Sequence, residues 1–221
     1  MSVQDWFPIW LTLRIAFTAT IISVVLGLGI AWLMARKQFR GKNLAEAIIM
    51  QPLVIPPTVM GYYLLVVFSR RSALGSALED WFGLTLVFTW RGAVLAAVVA
   101  SLPLFIKPVR AALESVDTHL ENAARLLGKT EWTVFRTVTF PLAWRGIVAG
   151  GVMAFARSMG EFGTTLMVAG NIPGKTQTVS IAIYDAVQAG DDAQANALVA
   201  IVTVFSILVL WFVSWFTAGR Y

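Results

Sequence analysis

A run of residues without any charged side chain, from Ile15 to Ala35, constrains this chain more than any other feature of its sequence. As a helix that rises about 1.5 Å per residue, the run is long enough to cross the roughly 30 Å of hydrocarbon in a lipid bilayer. Of the 221 residues, 58% are hydrophobic and 13% are charged, whereas about a quarter of the residues in soluble domains are charged. One small soluble core could not bury this surplus of apolar side chains, so the chain is predicted to lie in a membrane.

Four further apolar stretches are predicted to span the membrane. They run from about Ala47 to Phe68, from near Leu84 or Val87 to Ile106, from about Ile147 to Ala169 and from about Ala197 to Ala218. Proline removes a backbone donor and crowds the preceding helical turn, so Pro52, Pro56 and Pro57 predict a kink or break in the second span. Residues 6–13 are expected to lie in the membrane interface before the first span. The predicted fold is all-α, a single polytopic membrane domain over residues 1–221 with about five transmembrane helices.

Two pairs of glycines fall within the predicted first and fourth spans. They are Gly27 with Gly29 and Gly150 with Gly151. Small residues let the backbones of neighbouring membrane helices approach closely, so we expect these positions to lie at helix contacts.

The basic residues divide unequally between the two sides of the membrane. With five spans, eleven of them lie on the side that holds the segments 36–46 and 107–146 and the C-terminal tail, and five lie on the other side. The eleven are Arg36, Lys37, Arg40, Lys42, Lys107, Arg110, Arg125, Lys129, Arg136, Arg145 and Arg220, and the five are Arg14, Arg70, Arg71, Arg91 and Lys175. Because cytoplasmic loops carry the excess of lysine and arginine, the N-terminus is predicted outside and the C-terminus in the cytoplasm. The net charge of +5 is therefore assigned to cytoplasmic loops and not to nucleic-acid binding.

The predicted cytoplasmic segment 107–146 contains the signals for two short helices. Asp117 is a suitable N-cap for a helix over residues 118–127, and Gly128 follows as the C′ residue, where a positive φ suits glycine. Thr130 is a suitable N-cap for a second helix. The pattern predicts a helix, a sharp turn and another helix outside the bilayer.

Residues 122–128 read Asn-Ala-Ala-Arg-Leu-Leu-Gly and resemble the signature loop of ABC-importer permeases, in which a proline follows the glycine at a set distance. Pro141, thirteen residues after Gly128, keeps that spacing. The usual pattern begins Glu-Ala-Ala, whereas this sequence has Asn122 at the glutamate position and Glu121 just before it.

The resemblance implies that this loop is a coupling helix, which docks in a groove of a cytoplasmic ATPase subunit and passes that subunit's motion to the spans. It assigns six residues to this role: Glu121, Asn122, Ala123, Ala124, Gly128 and Pro141. Two of them, Ala123 and Ala124, give the helix a small-residue face that a partner's groove could approach.

Three other stretches resemble the molybdate permease subunits within this family. They are Gln-Pro-Leu-Val-Ile-Pro-Pro-Thr-Val-Met-Gly-Tyr (51–62), Ala-Phe-Ala-Arg-Ser-Met-Gly-Glu-Phe-Gly (154–163) and Gly-Asn-Ile-Pro-Gly-Lys-Thr-Gln-Thr (170–178). Sulfate and thiosulfate permeases share part of this likeness, so a sulfate, thiosulfate or tungstate importer is the alternative. The resemblance implies a homodimer of this chain in the bacterial inner membrane, two copies of a cytoplasmic ATP-binding subunit, and an extracytoplasmic protein that delivers molybdate.

Arg157 and Glu161 are charged residues within the predicted fourth span. They lie four residues apart, on one face of a helix, and a central arginine costs about 2.5–3.5 kcal/mol to insert, so it should pair or face water. One interpretation is a buried ion pair that fixes helix packing. The other is that Arg157, with Ser158 and Glu161 beside it, lines the translocation path and helps an oxyanion pass.

Several other functions lack the residues that they require. The chain contains no Gly-x-x-x-x-Gly-Lys-Ser/Thr phosphate loop, so it is expected to bind no cofactor itself and to leave ATP hydrolysis to its partner. It has no cysteine, no histidine and carboxylate cluster with metal-ligand spacing, and no serine with a general base, so neither a metal site nor an enzyme is predicted. An ion-gradient carrier would need several intramembrane carboxylates, and only Glu161 is predicted at mid-span. The single histidine, His119, is expected to be a solvated helix residue.

The distribution of basic residues predicts a topology that reporter fusions can test. A reporter fused after Tyr221 should behave as cytoplasmic, and one inserted in the 171–195 segment should behave as external. An external reporter within the 107–146 segment would contradict the assignment of that segment to the cytoplasm.

Overall fold

A computed structural model describes the backbone of residues 3–217 and the side chains of residues 6–211. The described residues form helices and no strand, which confirms the predicted all-α class. The helices are α1 (Val3–Arg36), α2 (Lys42–Met50), α3 (Pro57–Phe68), α4 (Ala73–Phe82), α5 (Trp90–Glu114), α6 (Thr118–Leu126), α7 (Glu131–Val134), α8 (Phe140–Met159), α9 (Gly163–Ala169), α10 (Val179–Ala189) and α11 (Asp192–Thr217). A single 3₁₀ turn at Gln51–Leu53 follows α2, and a π-helical segment at Phe135–Thr139 joins α7 to α8.

Three long helices, α1, α5 and α8, pack together and form the core. The central helix is α5, which buries Phe105, Ile106 and Val109 against residues of the other two helices such as Ala31 and Ala154. Towards the other end of α1, a second apolar cluster joins α1 to the first turns of α5. Several of the residues that α5 meets are small, such as Ala31, Ala154 and Gly150, which lets the helix axes approach closely.

One glycine of each predicted pair lies at such a contact, and the other does not. A Cβ added at Gly27 would overlap the ring of Phe105, and one added at Gly150 would lie 2.9 Å from the Val109 Cγ2 atom. By contrast, an added Cβ at Gly29 would meet nothing within 4 Å, and one at Gly151 would lie 3.9 Å from its nearest neighbour. The prediction of close packing is confirmed for Gly27 and Gly150 only.

The second predicted span is broken, as its prolines indicate. The helical segments Lys42–Leu53 and Pro57–Phe68 meet at an angle of 109°. Pro56 has an extended backbone, which ends the first segment, and Pro57 occupies the first turn of α3, where its missing N–H costs nothing. The first turn of α3 lies against α9, since the Thr164 hydroxyl donates a hydrogen bond to the Pro57 carbonyl at 3.2 Å.

The first, third and fourth spans differ from their predicted bounds. Residues 6–13 belong to α1 itself, because Leu11 and Ile15 pack against α5 and so extend the helix. The third span begins at Trp90 and not near Leu84 or Val87. Phe88 has a φ of 58°, which a helix cannot include, and Thr89 caps the new helix.

The fourth span ends at Met159 and not at Ala169, since the chain breaks at Gly160 and restarts as α9. The prediction therefore missed α9 as a separate helix. It also missed α4, whose signals were present in the sequence: Ser72 accepts a hydrogen bond as N-cap, and Gly83 follows with a φ of 61°.

The fifth span, α11, begins at Asp192, five residues before the predicted Ala197. Its predicted end at Ala218 lies outside the described residues. Among the described residues, four helices are long and apolar enough to cross a membrane, and the bent α2–α3 pair makes five if it counts as one span. That number agrees with the prediction. In its described part α11 packs on α10 and touches α8, and most of its apolar side chains face outward.

Two ion pairs hold together the segments that carry most of the basic residues. Both pairs lie at one end of the helix bundle. Arg36, in the last turn of α1, pairs with Glu121 of α6 at 2.6 Å. Arg110 of α5 pairs with Glu46 of α2 at 2.8 Å. The segments 36–46 and 107–146 therefore lie on the same side, as their grouping in the sequence analysis requires.

The α5–α8 contact predicts that valine is destabilising at Gly150 but tolerated at the adjacent Gly151. Gly150→Val should lower the free energy of unfolding by about 1–3 kcal/mol, because the new side chain must displace Val109 or the Phe105 backbone. Gly151→Val, which adds the same side chain on the open face of α8, is the matched control and should unfold like the native protein. Thermal unfolding in detergent measures both, and equal stability of the two variants would contradict the close contact at Gly150.

Candidate functional site

The loop between α5 and α8 has the conformation that its sequence predicts. The Asp117 carboxylate accepts a hydrogen bond from the His119 backbone N–H at 2.8 Å and so caps α6. Gly128 follows with a φ of 77°, and the Lys129 backbone N–H donates to the Ala124 carbonyl across the turn at 3.2 Å. Thr130 caps α7 through the Thr133 backbone N–H. The helix, turn and helix are confirmed, although α6 ends at Leu126 and α7 is a single turn.

The Glu121 carboxylate points from α6 into the protein and not outward. Glu121 is 3% exposed, and its Oε1 atom accepts hydrogen bonds from the Arg36 guanidinium at 2.6 Å and from the Thr139 hydroxyl at 2.7 Å. Arg36 ends α1, and Thr139 lies in the π-helical segment that leads into α8. A single carboxylate therefore links the loop helix to two of the three core helices.

The outward face of the loop carries an exposed apolar patch. Leu126 is 88% exposed and Leu127 is 80% exposed at the end of α6, and Trp132 is exposed at the start of α7. Ala123 is exposed beside them, whereas Ala124 is half-buried. Clustered apolar side chains exposed outside a bilayer are typical of a surface that another protein covers. The sequence analysis placed Ala123 and Ala124 on the docking face but did not include the leucines or Trp132. The pair of leucines directly before Gly128 could have indicated an apolar tip.

Asn122 and its neighbours are held by hydrogen bonds within the loop. Arg125 donates to the Asn122 amide oxygen at 2.7 Å and to both Glu131 carboxylate oxygens, at 2.7 and 3.1 Å. The hydrogen bond to Glu131 raises the pKa of Arg125, so the guanidinium is charged at every physiological pH. This bridge joins α6 to α7 across the turn at Gly128.

Pro141 lies in the first turn of α8 and is exposed. The π-helical segment Phe135–Thr139 comes directly before it. Proline has no backbone N–H, and its ring crowds the carbonyl one turn earlier, so the wider turn lets the helix continue through this position. The same wide turn places Thr139 where its hydroxyl reaches Glu121.

Arg157 and Glu161 form an ion pair at 2.6 Å, but they do not share a helix. Glu161 lies in the break after α8, where its other oxygen accepts the Thr164 backbone N–H at 2.9 Å and so starts α9. The Glu161 side chain is 2% exposed and that of Arg157 is 30% exposed. The predicted pairing is confirmed, whereas the prediction of one helix face is wrong because Gly160 ends α8.

Ser158 is buried in the last turn of α8, and its hydroxyl has no hydrogen-bond partner among the described residues. It is therefore enclosed by the helix bundle. His119 is exposed on α6, as predicted. Within the part of the chain that the structure describes, no three His, Asp or Glu residues are grouped as metal ligands.

Comparison with known proteins gives a family match over nearly the whole chain. Residues 14–219 match the model of the family described as binding-protein-dependent transport system inner membrane component. The molybdenum transport system permease protein ModB of Escherichia coli (strain K12) is 45% identical over 204 residues, which are 92% of this chain and 89% of that protein. The sulfate transport system permease protein CysT of the same organism is 35% identical over 200 residues, 90% of this chain and 72% of that protein.

A solved structure shares the fold. The MetNI methionine ABC transporter in inward-facing conformations contains a chain that superposes with a TM-score of 0.74 at 19% identity, and the match covers 100% of both chains. At this identity the likeness concerns the arrangement of helices alone.

The buried position of Glu121 predicts a difference between two carboxylates of the loop. Glu121→Ala should lower the free energy of unfolding by about 3 kcal/mol, because it leaves the half-buried Arg36 guanidinium without its partner. Glu131→Ala removes an exposed carboxylate and should leave stability unchanged within error. Thermal unfolding of the purified variants is the measurement. Equal losses would show that Glu121 is no more important to the fold than a surface residue.

Proposed function

Because this chain belongs to the family of binding-protein-dependent transport system inner membrane components, we propose that it is the permease subunit of an ATP-driven importer whose solute is molybdate. The identity to the molybdenum permease, which exceeds that to the sulfate permease and extends over most of both chains, supports molybdate over sulfate. Sulfate, thiosulfate and tungstate are related oxyanions, and each serves as a competitor in the experiment below.

One observation carries the coupling role: the loop between α5 and α8 exposes an apolar tip outward and buries the Glu121 carboxylate inward. The exposed Leu126 and Leu127 offer a surface to a cytoplasmic ATPase subunit. Glu121 faces the opposite way and holds the loop to α1 and α8. We therefore assign docking to the apolar tip with Asn122, Ala123 and Ala124, and we assign to Glu121 the transmission of movement from that tip to the spans.

The proposed complex contains two copies of this chain, two ATPase subunits and an extracytoplasmic binding protein that delivers the anion. One copy has too few spans to enclose a path, and the described apolar face of α11 is free to meet lipid or the second copy. The chain lies in the bacterial inner membrane with its N-terminus outside and its C-terminus in the cytoplasm. The chain has no phosphate-binding loop, so the partner subunits bind and hydrolyse ATP.

The Arg157–Glu161 pair fixes the junction between α8 and α9. Glu161 is neutralised by Arg157 and by the Thr164 backbone N–H, so a passing oxyanion meets no uncompensated negative charge there. Of the two side chains, only Arg157 has substantial exposed surface. We assign it as the residue of this pair that a passing oxyanion contacts in the translocation path.

The coupling role predicts that the shape of the loop matters more than its charge. Gly128→Val should uncouple transport, because valine at a φ of 77° costs on the order of 1–2 kcal/mol and redirects α7, although an added Cβ meets nothing within 4 Å. Ala124→Asp, which puts a charge beside the docking face, should weaken ATPase binding. Both should reduce molybdate uptake at least tenfold in reconstituted complexes, while the chain still inserts and pairs. This tenfold figure is an order-of-magnitude expectation, about 1.4 kcal/mol of coupling.

The matched control is His119→Ala, an exposed residue of α6 outside the docking tip, which should transport normally. Uptake is measured with labelled molybdate and, separately, with excess sulfate, thiosulfate or tungstate as competitor. Normal uptake by Gly128→Val and Ala124→Asp at normal membrane levels would refute the coupling role. Stronger inhibition by sulfate than by unlabelled molybdate would refute the assigned solute and leave the coupling role intact.

A further inference from the structure

A polar cavity of about 520 Å³ lies between the end of α1 and the loop helices. Its wall includes three cationic side chains, Arg36, Lys37 and Arg125. Two carboxylates, Glu121 and Glu131, also line it. With the topology proposed above, the cavity lies at the cytoplasmic surface of the membrane.

The two carboxylates of the cavity are already engaged, whereas part of the positive charge is not. Glu121 accepts hydrogen bonds from Arg36 and Thr139. Glu131 accepts hydrogen bonds from Arg125 through both of its oxygens. The Arg36 Nε atom is buried and has no hydrogen-bond partner among the described residues. Lys37 is exposed and pairs with no carboxylate within the described ranges. The exposed Lys37 ammonium therefore remains available to an anion in the cavity.

An apolar groove of about 400 Å³ adjoins this cavity. One side is a face of α1 with Val25, Leu28 and Gly29, and the other side is formed by Trp132 and Phe135. Trp32, Glu131 and Phe135 line both spaces, so the groove and the cavity are adjacent. Nothing occupies the space above Gly29, since an added Cβ there would meet no atom within 4 Å.

From the groove to the cavity the lining changes from apolar to cationic side chains. The same change occurs from the hydrocarbon core to the headgroups at a membrane surface. The groove lies against the uncharged part of α1, and the cations follow where α1 ends. Trp32 lies between the apolar and the cationic side chains. The Lys37 ammonium is 6.0 Å from the centre of its ring. Tryptophan at the boundary between apolar and cationic side chains is typical of the headgroup level of a bilayer.

We propose that the groove and cavity together form a binding site for one anionic phospholipid of the cytoplasmic leaflet. An acyl chain would lie in the groove along Val25, Leu28 and Gly29, and the phosphate would lie near Lys37 and Arg36. Basic pockets beside membrane helices on the cytoplasmic side suit such headgroups. A soluble anion would use the cavity but leave the apolar groove empty, and a protein partner would be expected to meet the outward tip of the loop. The bound lipid would connect α1 to α7, at the place where the loop is held to the spans.

Native mass spectrometry of the detergent-solubilised complex tests the site with phosphatidylglycerol and phosphatidylcholine as probes. The native complex should retain phosphatidylglycerol in preference to phosphatidylcholine. Lys37→Gln should reduce phosphatidylglycerol occupancy about fivefold, because it removes one cation near the headgroup. Gly29→Leu should reduce the occupancy of both lipids, because its side chain fills the open groove without meeting other atoms.

Two control variants match these changes outside the site. Arg40→Gln removes an exposed cation from the same cytoplasmic segment, and Ala200→Leu adds a side chain to an exposed position of α11. Both should retain phosphatidylglycerol like the native complex. Folding is checked by thermal unfolding of each variant, so that a loss of lipid is attributed to the site only where the variant unfolds like the native protein.

Three results would overturn the proposal. The first is equal retention of the two lipids by the native complex. The second is displacement of the lipid signal by millimolar inorganic phosphate together with no effect of Gly29→Leu, which would mark a site for soluble anions. The third is retention of the lipid by the permease dimer but not by the complete complex, which would show that the ATPase subunit covers the groove.

Discussion

The Glu121 carboxylate is the interaction on which the arrangement of this protein depends. It lies in a short helix outside the membrane, yet it is buried and bonded to residues that end one core helix and begin another. A buried carboxylate is stable only when cations and hydroxyls satisfy it, so the position of α6 is coupled to the positions of Arg36 and Thr139. The carboxylate therefore ties α6 to the end of α1 and to the segment that leads into α8.

The bilayer explains why the remaining irregular elements are where they are. Backbone groups without partners cannot face lipid, so breaks in membrane helices must lie against protein. The break after α2 meets α9, whose Thr164 donates to the Pro57 carbonyl, and the break after α8 is closed by Glu161. Glycine makes these contacts possible, since an added Cβ at Gly61 would lie 2.6 Å from Met167. The broken helices thus form one packed unit beside the three-helix core.

Much of this structure could be predicted from the sequence, because its signals are local. Asp117, Gly128 and Thr130 specify caps and a turn within a few residues, and the prolines of the second span specify its break. The direction of Glu121 could not be predicted, since it depends on Arg36, 85 positions away in sequence. The separation of α8 and α9 was missed for a related reason. Hydropathy continues through Gly160, whereas the hydrogen bond from Thr164 to Glu161 decides where the new helix starts.

The central claim is that the two faces of the loop do different work: the outer face binds the ATPase, and Glu121 carries its motion inward. The most direct measurement is the number of molybdate ions transported per ATP hydrolysed by the reconstituted Glu121→Gln complex. This change removes the ion pair with Arg36 but retains the shape of the side chain. We expect normal binding of the ATPase, continued ATP hydrolysis and a severalfold fall in transport per ATP. Loss of ATPase binding with an unchanged transport ratio in the complexes that remain would contradict the claim.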